Sequence, residues 1–383
     1  MNDARLRGDA DQAVAVMPVY RARLPVAEAI MPYLREIDTH QHYANRGPLV
    51  DRLELRLQAM IACPGCAVLT AASGTAALQA AILAQTGRAT PERPYALMPG
   101  YTFVATAMAA EACGYRPVFV DIDAATWAAA PAAFAAHPAL ARAGVVLAVA
   151  PYGRGHDQSA WAAFARAHGV AVVIDAAASF EALVDDPAGS TGEVPVVLSF
   201  HATKSFATGE GGAVIWSDIA GLQRCAQALN FGFLFSRSSR SAGFNGKMSE
   251  YHAAVGLAGL DGWAARAAGY RRVNTLYRAA AVDHGVADIV VVGPVIASNY
   301  AMALASSVAE AAAMVAALRD AAIEHRFWYG RGVHREPYFA GGAVAALPET
   351  ESVAARLIGI PIYPEIEPAS VTRVVRCLAS VRA

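Results

Sequence analysis

The sequence predicts an α/β protein: an open, doubly wound, mainly parallel sheet of seven strands with helices on both faces, plus a smaller α+β C-terminal domain. Two observations carry this. Short, continuous apolar runs recur from about residue 50 onward, and alanine-rich helical stretches separate them. Apolar character that is continuous rather than alternating marks strands buried on both faces, as in a parallel sheet with crossover helices.

The apolar runs place strands at 67–70, 95–98, 117–120, 145–149, 170–174, 196–200 and 213–216. Between them, 75–85 and 158–168 read as crossover helices. A long helical tract over 248–281 is expected to bridge to the smaller domain. There, 289–292 and 300–304 read as strands, 308–324 as a helix and 327–329 as a further strand. The expected division is an N-terminal segment, 1–47, whose Pro18, Pro25 and Pro32 pack it onto the small domain; a large domain, 48–262; and a small domain, 263–383. No internal repeat or low-complexity linker interrupts the pattern.

Composition narrows the class. The chain has 383 residues, 56% hydrophobic and 16% charged, with a formal net charge of -1. Near-neutrality without a basic block argues against nucleic acid as the partner. Glu111, Arg116 and Glu310 break the most apolar stretches, so none reaches the roughly 20 uninterrupted apolar residues of a spanning helix. The charged start, Met1 to Arg5, lacks a signal peptide's apolar segment, and a cytoplasmic protein is expected. Five scattered cysteines do not resemble a disulfide framework. Cys63-Pro64-Gly65-Cys66 has the C-x-x-C spacing of a redox pair or half a zinc site, but a lone pair is a weak redox signal, no second pair completes a zinc site, and no metal is expected.

The chemistry concentrates at strand ends. Ligands of open α/β sheets bind beyond the carboxyl ends of the strands. Asp175 ends the 170–174 run, and Lys204 follows the 196–200 run ahead of Gly209-Glu210-Gly211-Gly212. A lysine amine and a buried carboxylate so placed suit pyridoxal phosphate (PLP). The amine bonds to the aldehyde, and the carboxylate keeps the pyridine nitrogen protonated so that the ring accepts electrons. Ser73-Gly74-Thr75 follows a strand and opens a helix, where free N–H groups, a close glycine backbone and a hydroxyl suit a phosphate. Ser199, five positions before Lys204, offers a second hydroxyl. Phe103 or Tyr101, after the 95–98 strand, offers a face to the pyridine ring. His201 reads as a structural hydrogen-bonding residue.

These segments are collinear with a known family. Asn45-Arg46-Gly47-Pro48-Leu49-Val50, Ala72-Ser73-Gly74-Thr75-Ala76-Ala77-Leu78, Tyr101-Thr102-Phe103-Val104-Ala105-Thr106, Phe119-Val120-Asp121-Ile122-Asp123, Tyr152-Gly153-Arg154, Ile174-Asp175-Ala176-Ala177, the Lys204 segment and Phe244-Asn245-Gly246-Lys247-Met248-Ser249-Glu250 resemble the DegT/StrS family. Its members are PLP-dependent nucleotide-sugar aminotransferases of fold type I. The last segment is most similar to transaminases that make TDP-4-amino-4,6-dideoxyglucose. The resemblance implies Lys204 as Schiff-base lysine and proton shuttle, Asp175 at the pyridine nitrogen, Phe103 stacked on the ring, and Gly74, Thr75 and Ser199 at the phosphate. It implies that Asn245 reaches the neighbouring subunit's cofactor in a homodimer with shared sites. Lys247, Arg326, Arg331 and His334 are substrate-binding candidates, with an arginine suited to clamp a diphosphate. The expected substrates are a TDP-linked 4-keto-6-deoxy sugar and glutamate.

Two departures stand out. Ala178 occupies the position where relatives carry glutamine or histidine facing the cofactor's phenolic oxygen, which leaves Ser179 or a water as the candidates to substitute. Ala150-Pro151 precede Tyr152-Gly153 where relatives carry histidine. Three rival readings are weighed: a PLP-dependent sugar dehydratase, whose relatives carry histidine in place of Lys204; a PLP-binding regulatory protein without turnover; and an acyl- or amino-acid-processing fold type I enzyme, disfavoured because the matching segments belong to the sugar family.

Overall fold

The computed structural model describes residues 16–340 and 346–382. Seven strands form the large sheet: β1 (Ala67–Ala71), β2 (Tyr95–Pro99), β3 (Arg116–Val120), β4 (Ala143–Val149), β5 (Ala171–Asp175), β6 (Val196–Ser199) and β7 (Gly212–Trp216). Their order is β1-β7-β6-β5-β4-β2-β3. Strand β7 runs antiparallel to both β1 and β6, and the other pairings are parallel. The sequence predicts this mainly parallel sheet, and the apolar runs mark its strands to within two residues at either end.

Burial follows from composition. In β4 and β5, Val145, Val146, Leu147, Val173 and Ile174 are fully inaccessible, as strands covered on both faces require. The helix Gly74–Thr86 buries residues around most of its circumference, among them Ala77, Ala80, Ala81 and Ile82. A helix apolar all round belongs inside a protein, and alanine lets it lie close to the sheet and to its neighbours, Val104–Ala112 and Ile219–Ala228.

The helical tract predicted over 248–281 is two helices, Glu250–Asp261 and Trp263–Asp283, separated at Gly262. Beyond it, β8 (Val290–Val292), β9 (Ala301–Leu304) and β10 (Leu357–Gly359) form a small antiparallel sheet in the order β10-β9-β8. The predicted strand at 327–329 is absent. Only Arg326 bridges Gly359, after which the chain turns. Gly330 and Gly332 take φ of +55° and +91°, and the rings of Trp328 and Tyr329 enter an aromatic cluster instead of extending a ladder. The helix predicted over 308–324 is Val308–Asp320.

Of the expected N-terminal segment, residues 1–15 lie outside the described residues. Past them, Met17 bridges Ile323, Tyr20 bridges Ile362, and the Val19 N–H donates to Glu324. The Cys63–Cys66 pair forms a disulfide, which corrects the sequence expectation. A turn through Pro64 and Gly65, with Gly65 at φ +84°, brings the two Cα atoms to 5.3 Å. Among the described residues no cluster of three or more His, Cys, Asp or Glu is arranged to hold a metal, and no helix is long and apolar enough to cross a membrane.

Candidate active site

Three elements bring the predicted site together at the C-terminal ends of β5 and β6. Asp175 is the last residue of β5, only 6% exposed. Its Oδ2 accepts from the Thr106 hydroxyl at 2.7 Å, and its Oδ1 accepts from the Ala177 N–H at 3.2 Å. Burial pushes the carboxyl above the usual carboxylate range. The Thr106 hydroxyl, the Ala177 N–H and the Lys204 ammonium each pull it back down.

Lys204 lies in the loop between β6 and β7. Because β7 turns back antiparallel to β6, this connection is a pinned excursion over residues 200–211 rather than a crossover helix. The Phe200 N–H donates to the Gly211 carbonyl, Ala202 to Gly209, Thr208 to Phe200, and Lys204 to His201, all at 2.8–2.9 Å. Gly209, at φ +91°, permits the return. The small domain braces the same loop, since the Asn299 amide donates to the Thr203 carbonyl. His201 is exposed and pairs with Thr203 beside it, a local hydrogen-bonding role.

Gly74 and Ser199 meet at the start of the helix Gly74–Thr86. A Cβ on Gly74 would stand 2.8 Å from the Ser199 Cβ, and one on Gly212 would stand 2.6 Å from the Gly74 nitrogen. The helix N-terminus is thus pressed against β6 and β7, with Ser73 capping the Ala76 N–H and the Thr75 and Ser199 side chains half-buried. This cradle of glycine backbone, hydroxyls and helix N–H groups fits a phosphate. Gly74→Ala would overpack it, at a typical stability cost of about 1–3 kcal/mol. The variant is expected to melt lower and to bind PLP more weakly in a cofactor titration; unchanged PLP binding would place the phosphate elsewhere.

Of the two aromatic candidates, Phe103 is 58% exposed at the N-cap of the helix Val104–Ala112, whereas Tyr101 is buried. The Tyr101 hydroxyl lies 2.7 Å from that of Tyr152, and the Tyr152 and Tyr329 rings stack 4.6 Å apart. Only Phe103 is left open to offer a face to a planar ligand.

The remaining candidates separate. Asn245 is exposed, its Oδ1 accepting from the Lys247 ammonium at 2.9 Å, and Lys247 also lies 4.9 Å from the Phe231 ring centre. Partial burial lowers the Lys247 pKa. Arg331 is exposed on a pocket of about 280 Å³ that it shares with Arg335 and Glu351. His334, expected at the substrate, is instead 3% exposed, with its Nε2 at 3.3 Å from Glu351 and its ring against Gly100. Arg326 likewise packs on the rings of Tyr20 and Trp328 and pairs with Glu324. The turn after Arg326 folds the segment through His334 onto the end of β2, where the Val333 N–H donates to the Gly100 carbonyl. Ser179 does not replace the side chain missing at Ala178: it is fully buried and donates to the Arg154 carbonyl at 3.4 Å.

Thr106, Tyr152 and Tyr329 received no role from the sequence. Thr106 carried a usable signal, standing four residues after Thr102 at the start of a helix, so that one turn aligns the two hydroxyls. The tyrosine cluster joins segments 51 to 228 positions apart and has no local signature.

The chain matches the DegT/DnrJ/EryC1/StrS aminotransferase family over residues 26–379. It belongs to that family. It is 36% identical to "Protein Rv3402c" of Mycobacterium tuberculosis over 371 residues, covering 94% of this chain and 88% of the relative. It is 32% identical over 246 residues to the dTDP-4-amino-4,6-dideoxy-D-glucose transaminase of Shigella dysenteriae, covering 63% and 64% of the two chains. Its fold superposes on DesI, crystallised in the presence of its TDP-sugar product, with a TM-score of 0.82 and 28% identity, covering 95% of this chain and 92% of DesI. As a member of this family the protein is a PLP-dependent aminotransferase of fold type I. The residues fit the cofactor: a lysine amine, a buried carboxylate and a glycine cradle flanked by hydroxyls converge at one sheet edge.

Proposed function

We propose that this aminotransferase moves an amino group from an amino acid, glutamate by preference, to the ketone of a TDP-linked 4-keto-6-deoxy sugar. The observation that carries the reading is the convergence of Lys204, Asp175 and the Gly74–Ser199 cradle on one sheet edge, in a chain similar over 246 residues to a dTDP-sugar transaminase.

Bound there, PLP supplies an aldehyde able to carry an amino group and a ring able to accept electrons. Asp175 holds a proton at the ring nitrogen. The hydroxyls of Thr75 and Ser199 and the N–H groups opening the helix Gly74–Thr86 hold the phosphate, and Phe103 covers one face of the ring. The Lys204 Nζ takes up the proton released from the donor's carbon and returns one to the sugar carbon, a positioned transfer typically worth about 10²–10⁴-fold. The donor leaves as its keto acid, and the acceptor ketone becomes an amine.

The substrate's diphosphate is assigned to Lys247 and Arg331; Arg326, though half-buried like Lys247, is already engaged by Glu324 and the rings of Tyr20 and Trp328. The exposed Asn245 loop is assigned to the partner's site in a homodimer. Incubating the PLP-loaded enzyme with glutamate and TDP-, UDP- and GDP-linked keto sugars, read by mass, tests the reading. Amination of the TDP-4-keto-6-deoxy sugar ahead of the others is expected. Consumption of glutamate without amination of any nucleotide sugar would contradict it.

A further inference from the structure

We propose that Thr106, braced by Thr102, is a positioning residue for the reaction, holding the Asp175 carboxylate ionised and fixing which of its lone pairs face the cofactor. The inference rests on the reading of Asp175 as partner of the ring nitrogen.

Thr106 sits in the first turns of the helix Val104–Ala112 and is fully buried, and Thr102 is 2% exposed. A buried helical threonine commonly returns its hydroxyl to a carbonyl of the preceding turn. Here the hydroxyl leaves its own helix and reaches Asp175 Oδ2, on β5, at 2.7 Å. An ionised carboxylate only accepts, so the Thr106 proton is committed to it. The Thr102 hydroxyl, 2.8 Å from that of Thr106, is then left to act as donor. The two hydroxyls therefore point one way, toward the anion, in a water-poor site where aligned donors strengthen one another. With the Ala177 N–H on Oδ1, each carboxylate oxygen has one internal donor and keeps a lone pair for an outside partner.

The titratable groups facing this carboxyl are Lys204 from the β6–β7 loop and Tyr329 from the small domain. Burial favours the neutral carboxyl, and the Thr106 hydroxyl opposes it. Losing that donor should let Asp175 take up a proton at higher pH, so the acid limb of kcat/KM moves upward.

The experiment compares the holoenzyme with Thr106→Val, Thr106→Ser and Asp175→Asn. For Thr106→Val we expect kcat/KM lower by about 10-fold or more, the usual scale for losing a hydrogen bond to a charged group. Its acid limb, and the pH titration of the bound cofactor's visible absorption, should shift up by about one pH unit. Thr106→Ser should restore both, and melting of the cofactor-free proteins should be similar. An unmoved acid limb and absorption titration in Thr106→Val, beside an impaired Asp175→Asn, overturns the inference and leaves the role of Asp175 standing. A parental Asp175→Asn overturns that role itself. Loss of activity without a pH shift, not rescued by serine, reduces Thr106 to packing. If Thr106→Val does not fold, Thr102→Val should show a smaller shift in the same direction, and no shift counts against the proposal.

Discussion

Lys204→Ala is expected to abolish transamination while the fold persists. The substitution removes the amine that bonds to the cofactor and the group that carries the proton between donor and acceptor carbons. Proton transfer alone predicts a loss of about 10²–10⁴-fold, and loss of the covalent tether adds to it. Nothing nearby replaces the amine. The chain has only one other lysine, Lys247, whose ammonium is held by Asn245 and the Phe231 ring. The fold should survive, because the loop over residues 200–211 is pinned by backbone hydrogen bonds that do not involve the Lys204 side chain. Circular dichroism and thermal melting should match the parent, while the keto acid released from glutamate falls to background. A variant that aminates sugar at the parental rate would show that the proton moves by another route.

Asp175→Asn should separate activity from stability. The carboxyl is buried at the end of β5, and burial opposes its charge. A neutral amide of the same shape removes that cost, so the cofactor-free variant is expected to melt at or above the parental temperature. Activity should fall by about 10²–10³-fold, the range seen when one preorganised electrostatic partner is lost from a site. The Ala177 N–H can still donate to the amide oxygen, and the Thr106 hydroxyl can rotate to accept from the amide nitrogen, so the local hydrogen bonds of the fold survive the exchange. Equal activity in variant and parent would remove Asp175 from the chemistry.

How much of this was legible in the sequence depended on how local the signal was. Strands β1 to β7 announced themselves because each is a short apolar run, buried on both faces except at the edge strand β3. Asp175, Lys204, Gly74 and Ser199 were read as candidates because strand ends and helix starts mark where an α/β sheet presents its ligand groups. The small domain was harder to read. The aromatic run at 327–329 has strand composition, yet the rings of Trp328 and Tyr329 are drawn into a cluster with Tyr101, Tyr152 and Tyr300 that no local pattern reveals. In the same segment His334 is buried beside Gly100, and Arg326 packs on the rings of Tyr20 and Trp328. Thr106 escaped because its role is set by a partner 69 positions away, although its spacing from Thr102 was visible. The disulfide escaped because C-x-x-C spacing alone does not distinguish a bridge from two thiols.

The most direct test of the central claim is to reduce the PLP-loaded protein with borohydride and map the modified peptide by mass spectrometry. With only Lys204 and Lys247 in the chain, the outcome is unambiguous at the side-chain level. The account predicts a single pyridoxyl adduct, on Lys204. An adduct on Lys247, or a protein that binds PLP without one, would contradict it.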